Sequence, residues 1–201
     1  MSDRYANFAE LAAVEREGLD FRILVRALSH PTVIMAPHGG AIEAGTTEIA
    51  AALAGDDFSL YAFDGMKRRN NRDLHITSAH FDEPRGLRLI GNSRQVVTVH
   101  GEGSAQDAVF LGGRDRETRE RLRVALGAAG FVPLEHDDPE LQGVDPANVC
   151  NRGATGAGMQ FELSLGLRQS FFESLTSQGR KNRTLRLAAF VSAVRAGLSP
   201  A

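Results

Sequence analysis

The chain has 201 residues, a formal charge of −2 and 42% hydrophobic content, enough for one sizeable soluble core. That balance gives no net electrostatic pull toward nucleic acid, so an anionic partner has to be read by a local basic cluster. Cys150 is the only cysteine, which excludes an internal disulfide framework and a Cys-rich zinc site; a bound metal must use histidine and carboxylates.

The opening stretch MSDRYANFAELAAVEREGLDF is too polar for a secretory segment, and no apolar run approaches the roughly 18 residues that span a bilayer. Synthesis as a cytoplasmic chain without a signal peptide and without membrane insertion is expected, with action outside the cell after release left open. Short apolar, β-branched runs then alternate with helical patterns. Strands are predicted at 32–37 (TVIMAP), 59–63, 74–77 (LHIT), 95–99, 107–112, 131–135 and 159–165 (MQFELSL). Helices are predicted at 46–53 with Thr46 or Thr47 as N-cap, at 83–90 with Pro84 in the first turn, at 116–129 and at 183–197. No repeat or linker divides the chain, so a single α/β domain over 1–201 is expected, with a mixed, mostly parallel sheet flanked by helices. The longest stretch without periodicity, 136–158, is a functional loop or a plain surface excursion.

Four residues stand at predicted strand ends. His38 closes VIMAPH, and Gly39 and Gly40 let the backbone turn before Glu43; His100 closes QVVTVH; Glu162 interrupts the apolar MQFEL. Ligands of open α/β sheets collect at the carboxyl ends of strands. Two imidazoles and one carboxylate, with a fourth position open, make a common catalytic zinc set, and a carboxylate beside it can serve as general base. Each residue also has a plain reading: a histidine satisfied within the fold, Glu43 at a helix N-terminus, Glu162 paired with an arginine. A basic cluster, Lys67, Arg68, Arg69 and Arg72, lies beside His75 and His80. Of these, Lys67, Arg68, Arg72 and His80 are candidate substrate contacts or ordinary surface groups, and His75, beside HIT, is expected to pack in the sheet. Arg114, after AVFLGG, is placed at the active-site edge of the sheet as a further candidate.

The segments APHGGAIEAGTTEIA, LHITSAHFDEP, VTVHG and NVCNRGATGAGMQFELS together resemble the poly-γ-glutamate hydrolase family, in order and over roughly 36–165. The resemblance implies a zinc-carboxypeptidase-like fold and cleavage of the γ-glutamyl amides of an acidic polymer, poly-γ-glutamate. It places one Zn2+ per chain on His38, Glu43 and His100, with Glu162 as catalytic base. Two departures from carboxypeptidases are visible. Their ligand pair is spaced His-x-x-Glu, whereas two more residues separate His38 from Glu43. Asn151 and Arg152 follow the last ligand instead of preceding it, so they are candidate substrate clamps only, and endo cleavage is the more natural expectation. The enzyme is expected to act as a monomer. The rivals are a small-molecule zinc amidohydrolase on the same scaffold and a non-catalytic polyanion-binding module. RGATGAG lacks the Lys and Ser/Thr of a P-loop, no Gly-x-Ser-x-Gly elbow occurs, and Cys150 has no histidine nearby in sequence.

Overall fold

A computed structural model describes residues 3–198. Strands β1 (Phe21–Arg26), β2 (Thr32–Gly40), β3 (Ser59–Gly65), β4 (Gln95–Gly101), β5 (Val109–Gly113), β6 (Pro133–Leu134) and β7 (Met159–Leu163) form one sheet in the order β1-β3-β2-β4-β7-β5-β6. The central strands β3, β2, β4 and β7 are parallel, whereas β1 runs antiparallel to β3 and β5 antiparallel to β7. The predicted mixed, mostly parallel sheet flanked by helices is what forms. All nine residues of β2 are buried, as a central parallel strand covered on both faces requires.

Helices α2 (Thr46–Ala54), α4 (Arg116–Ala128), α5 (Leu165–Ser170) and α6 (Leu185–Leu198) pack Ile49, Leu122, Leu167 and Phe190 onto one face, against Ile34, Val97, Val99 and Phe161. Helices α1 (Phe8–Val14) and α3 (Pro84–Gly91) cover the other face at its β1 and β3 side, where Leu11 and Ile90 meet Met35, Tyr61 and Phe63. Each such buried Leu, Ile or Phe contributes about 1.5–3 kcal/mol of transfer free energy. Among the described residues, no helix is long and apolar enough to cross a membrane.

Three local expectations need correction. The run 74–77 is no strand: residues Asn71–Leu74 wind a 3-10 turn after Asn70, whose φ of 60° is left-handed, and the chain then crosses the sheet end as a loop. The N-cap of α2 is Gly45 at φ 101°, with no side-chain cap; Thr46 donates its hydroxyl backward to the Glu43 carbonyl instead. The predicted strand at 131–135 shrinks to Pro133–Leu134 at the sheet edge.

Candidate active site

Strict alternation along β2 would send His38 to the side of Ile34 and Ala36, under α2. A β-bulge prevents this. Ala36 pairs with Ala62 and Gly39 with Asp64, so Pro37 and His38 together oppose Phe63. The extra residue turns His38 to the face that also carries Met35 and Phe63, which is the face of His100 on β4. Proline suits the bulge because it has no N–H to leave unpaired. On β7, Met159, Phe161 and Leu163 face the α6 side, so Gln160 and Glu162 project to the opposite one, and Glu162 stands beside His100 in the β4–β7 register.

The turn after β2 closes tightly. The Glu43 N–H donates to the His38 carbonyl at 3.0 Å, and Thr46 donates its hydroxyl to both the Glu43 and His38 carbonyls. Gly40 sits at φ 66°, and a Cβ there would lie 2.5 Å from the Gly65 carbonyl oxygen. A Cβ on Gly39 would collide with the Thr47 hydroxyl and the Asp64 carboxylate, which are hydrogen-bonded to each other.

The functional side chains then converge. His38 Nδ1 lies 3.1 Å from Glu43 Oε1 and 3.1 Å from His100 Nδ1, and His100 Nδ1 lies 3.8 Å from Glu43 Oε2. His38 Nε2 donates to the Ile76 carbonyl at 2.8 Å, which can only accept, so in the neutral ring Nδ1 carries the lone pair. Glu43 Oε2 accepts the Gly101 N–H at 2.9 Å. The His38 and His100 Nδ1 atoms and the Glu43 carboxylate thus gather at one place, where a single proton can bridge only two of them. Ligand atoms of a tetrahedral zinc with bonds of about 2.0–2.1 Å lie roughly 3.3–3.4 Å apart, so the spacing and chemistry of this set fit that ion.

The ionisable groups gathered here are strongly perturbed by burial and by one another. Burial would raise the Glu43 carboxyl, but the His38 charge and hydrogen bond, with His100 and the Gly101 N–H, hold it at about 2. Burial first, and the His38 charge second, depress His100 to about 3. Burial raises Glu162 well above the ordinary carboxyl range, and the charges of Glu43 and Glu102 add to this. Glu162 Oε1 is held by Gln160 Nε2 at 3.1 Å, and Gln160 is itself fixed by Asn148 and the Leu141 carbonyl.

His75 was missed by sequence reasoning. It lines the cavity, packs against His38 with ring centroids 3.9 Å apart and planes tilted by 34°, and brings Nε2 to 3.9 Å from Glu43 Oε1, while Asp3 holds its Nδ1 at 2.7 Å. Donor atoms of His38, Glu43 and His75 lie within 4.8 Å of one another, a second triad overlapping the first. Burial depresses His75 to about 4, with the His38 charge acting in the same direction. LHIT reads as a strand on composition, and nothing local announces that a left-handed Asn70 and the distant Asp3 will turn it into a site loop.

The cavity in front of these groups has a volume of about 1220 Å³, and the loop 136–158 supplies one wall through His136, Glu140, Leu141, Asp145 and Asn148. Of the basic candidates, Arg72 lines it, with Nη1 4.0 Å from Glu43 Oε1. Lys67 instead pairs with Glu15 at 2.9 Å, and Arg68 and His80 are exposed away from the lining. Asn151 is buried as a loop fastener, donating to the Gly143 and Asp145 carbonyls and accepting the Arg114 and Gly158 N–H groups. Arg152 donates to the Phe81 carbonyl at 2.6 Å and does not line the cavity. Arg114 is at the wrong edge: because β5 runs antiparallel to β7, Gly113 pairs with Met159, and the chain leaves the sheet opposite the site.

Comparison with known proteins gives concordant matches. The family model described as poly-gamma-glutamate hydrolase matches residues 5–193. The UPF0714 protein YndL of Bacillus subtilis (strain 168) is 39% identical over 180 residues, covering 89% of this chain and 70% of YndL. A solved bacteriophage poly-gamma-glutamate hydrolase superposes with a TM-score of 0.94 at 30% identity, over 98% of this chain and 96% of that one. A structure described as zinc-free apo YNDL superposes with a TM-score of 0.89 at 38% identity, over 96% and 95%.

Proposed function

The chain belongs to the poly-γ-glutamate hydrolase family, a family of hydrolases, and from that premise we propose that it cleaves γ-glutamyl amide bonds within poly-γ-glutamate, using one zinc ion held by His38, Glu43 and His100. The observation that carries this reading is the convergence of two Nδ1 atoms and a carboxylate at 3.1, 3.1 and 3.8 Å. His100 is preferred to His75 as third ligand because its Nδ1 lies 3.1 Å from His38 Nδ1 and 3.8 Å from the Glu43 carboxylate, whereas His75 approaches Glu43 at 3.9 Å and is fastened through its other nitrogen to Asp3.

When bound, zinc supplies Lewis-acid polarisation of a carbonyl and lowers the pKa of water. Glu162 is the base: it takes the proton of the attacking water and returns it to the leaving amide nitrogen, for which its raised proton affinity suits it. Gln160 fixes one carboxylate oxygen and leaves the other for this exchange. Arg72, the one guanidinium in the lining among the described residues, is placed to hold a substrate carboxylate or the carbonyl oxygen. Asn151 and Arg152 are spent on backbone carbonyls, so that pair supplies no clamp for a chain terminus, which favours internal cleavage. A monomer acting on an acidic polymer is the simplest form of this reading. A single lining guanidinium also suits a small-molecule amidohydrolase that recognises one carboxylate.

Zinc content by elemental analysis, beside poly-γ-glutamate chain length, tests the proposal in wild type and Glu162→Gln. One zinc per chain with polymer shortening in wild type, and retained zinc with a rate lower by about 10²- to 10⁴-fold in the variant, is expected. Zinc without shortening favours the small-molecule amidohydrolase. Absence of both metal and cleavage overturns the zinc reading.

A further inference from the structure

Arg168, on the short helix α5, is buried and makes no salt bridge among the described residues. Its guanidinium instead donates to three carbonyls: Nε to Leu163 at 3.1 Å, Nη1 to Ala44 at 2.7 Å and Nη2 to Glu102 at 2.9 Å. Leu163 follows Glu162, Ala44 follows Glu43, and Glu102 lies two residues after His100. Gly101 makes the space, since a Cβ there would stand 2.6 Å from the guanidinium carbon. We propose that Arg168 is a positioning residue for hydrolysis, its planar fork tying the segments that carry Glu43, His100 and Glu162 into one fixed separation.

The proposal rests on the zinc-hydrolase reading above and adds a residue that touches neither metal nor substrate. A structural arginine could fill the same volume with its donors on any convenient carbonyls. Here each donor ends on a different segment of the site. Lysine, a point charge on a flexible stem, cannot serve three carbonyls in one plane.

The test uses wild type, Arg168→Met, Arg168→Lys and, as a control for losing a buried guanidinium elsewhere, Arg180→Met. Arg180 is buried, pairs with Glu48 at 2.7 Å and lies outside the cavity lining. Three readings are taken: the zinc dissociation constant by chelator competition, amide exchange of the metal-free protein at 41–46 and 100–104, and kcat with KM for the polymer. Outer-shell substitutions at metal sites typically cost about 10- to 100-fold in affinity, and that loss is expected for Arg168→Met, with lower kcat and little change in KM. Arg168→Lys is expected to recover part of the affinity. Arg180→Met should melt at a lower temperature yet bind zinc as wild type does. A folded Arg168→Met with wild-type zinc affinity overturns the proposal; if that variant fails to fold, wild-type affinity in Arg168→Lys overturns it equally. Should wild type bind no zinc, the zinc reading falls, and exchange decides the tie. Faster exchange at both segments in the Arg168 variants than in Arg180→Met upholds it, and equal exchange overturns it.

Discussion

Arg72 is half in solvent, so its grip on a substrate carboxylate is of the weaker, exposed kind. A hydrogen bond to a charged group is worth about 1.5–3 kcal/mol, and the low end applies here. Arg72→Ala should therefore raise KM for the polymer about tenfold while kcat changes less, measured by initial rates; an unchanged KM would remove Arg72 from substrate binding. The buried acids and bases make a second prediction, for the metal-free protein. His100 at about 3 and His75 at about 4 lie below their unfolded value of 6.5, so each contributes stability that is lost as pH falls from 6.5. Glu162, raised above its unfolded 4.5, acts oppositely over the range above 4.5, and Glu43, held at about 2, loses stability below 4.5. Opposed slopes between pH 6.5 and 4.5 should give way to a steep loss below 4.5. Urea midpoints at pH 6.5, 4.5 and 3.5 read this directly, and Glu162→Gln should steepen the upper part of the curve. A midpoint at pH 3.5 equal to that at 4.5 would mean that these groups are not buried as described.

At the level of elements, the site depends on one irregular strand end. Gly40→Ala places a side chain at φ 66° and against the Gly65 carbonyl, which should cost at least about 1–3 kcal/mol and loosen the turn that returns Glu43 to His38. Gly127→Ala, in α4 with open space around it, should instead stabilise by up to about 1 kcal/mol. Denaturant melts of the pair separate a required glycine from a tolerated one. The same contrast explains what was legible in the sequence. The strands ending in His38, His100 and Glu162 announce themselves, because buried parallel strands are apolar runs and a polar residue at their end is conspicuous. The bulge that re-aims His38 is a departure from alternation, visible only once Ala36 and Gly39 have partners. The direction of β5 does have a signal in the sequence: residues 102–108 are too few for the dozen or more that a parallel crossover needs. Helices α1 and α5 are seven and six residues long, too short for helical periodicity to register, and Arg168 was hidden with α5.

For the molecule as a whole, the charge around the cavity differs from what the basic cluster leads one to expect. Lys67 is spent on Glu15, and Arg68 does not line the cavity, so among the described residues one guanidinium faces a lining that includes Asp3, Glu43, Glu102, Glu140, Asp145 and Glu162. A zinc ion held as proposed would offset part of this at its base, where Glu43 and Glu162 lie, but the rim carboxylates remain. On the proposed function, a polymer with a carboxylate on every residue would approach against a like-charged mouth and be caught at short range by Arg72 and the metal. Repulsion between exposed charges is screened over about 10 Å at 0.1 M salt and over about 30 Å at 0.01 M, so added salt should help the encounter. We therefore expect kcat/KM for poly-γ-glutamate to rise, by up to several-fold, as ionic strength increases from 0.01 to 0.1 M, with kcat nearly constant. Initial rates on one polymer preparation across that range measure it. A steep fall would show that cationic residues outside the cavity steer the polymer, which would return Arg68 and its neighbours to the binding surface. A rise that disappears when Glu140 and Asp145 are changed to Asn and Gln equivalents, Glu140→Gln with Asp145→Asn, would locate the repulsion in the loop wall at 136–158.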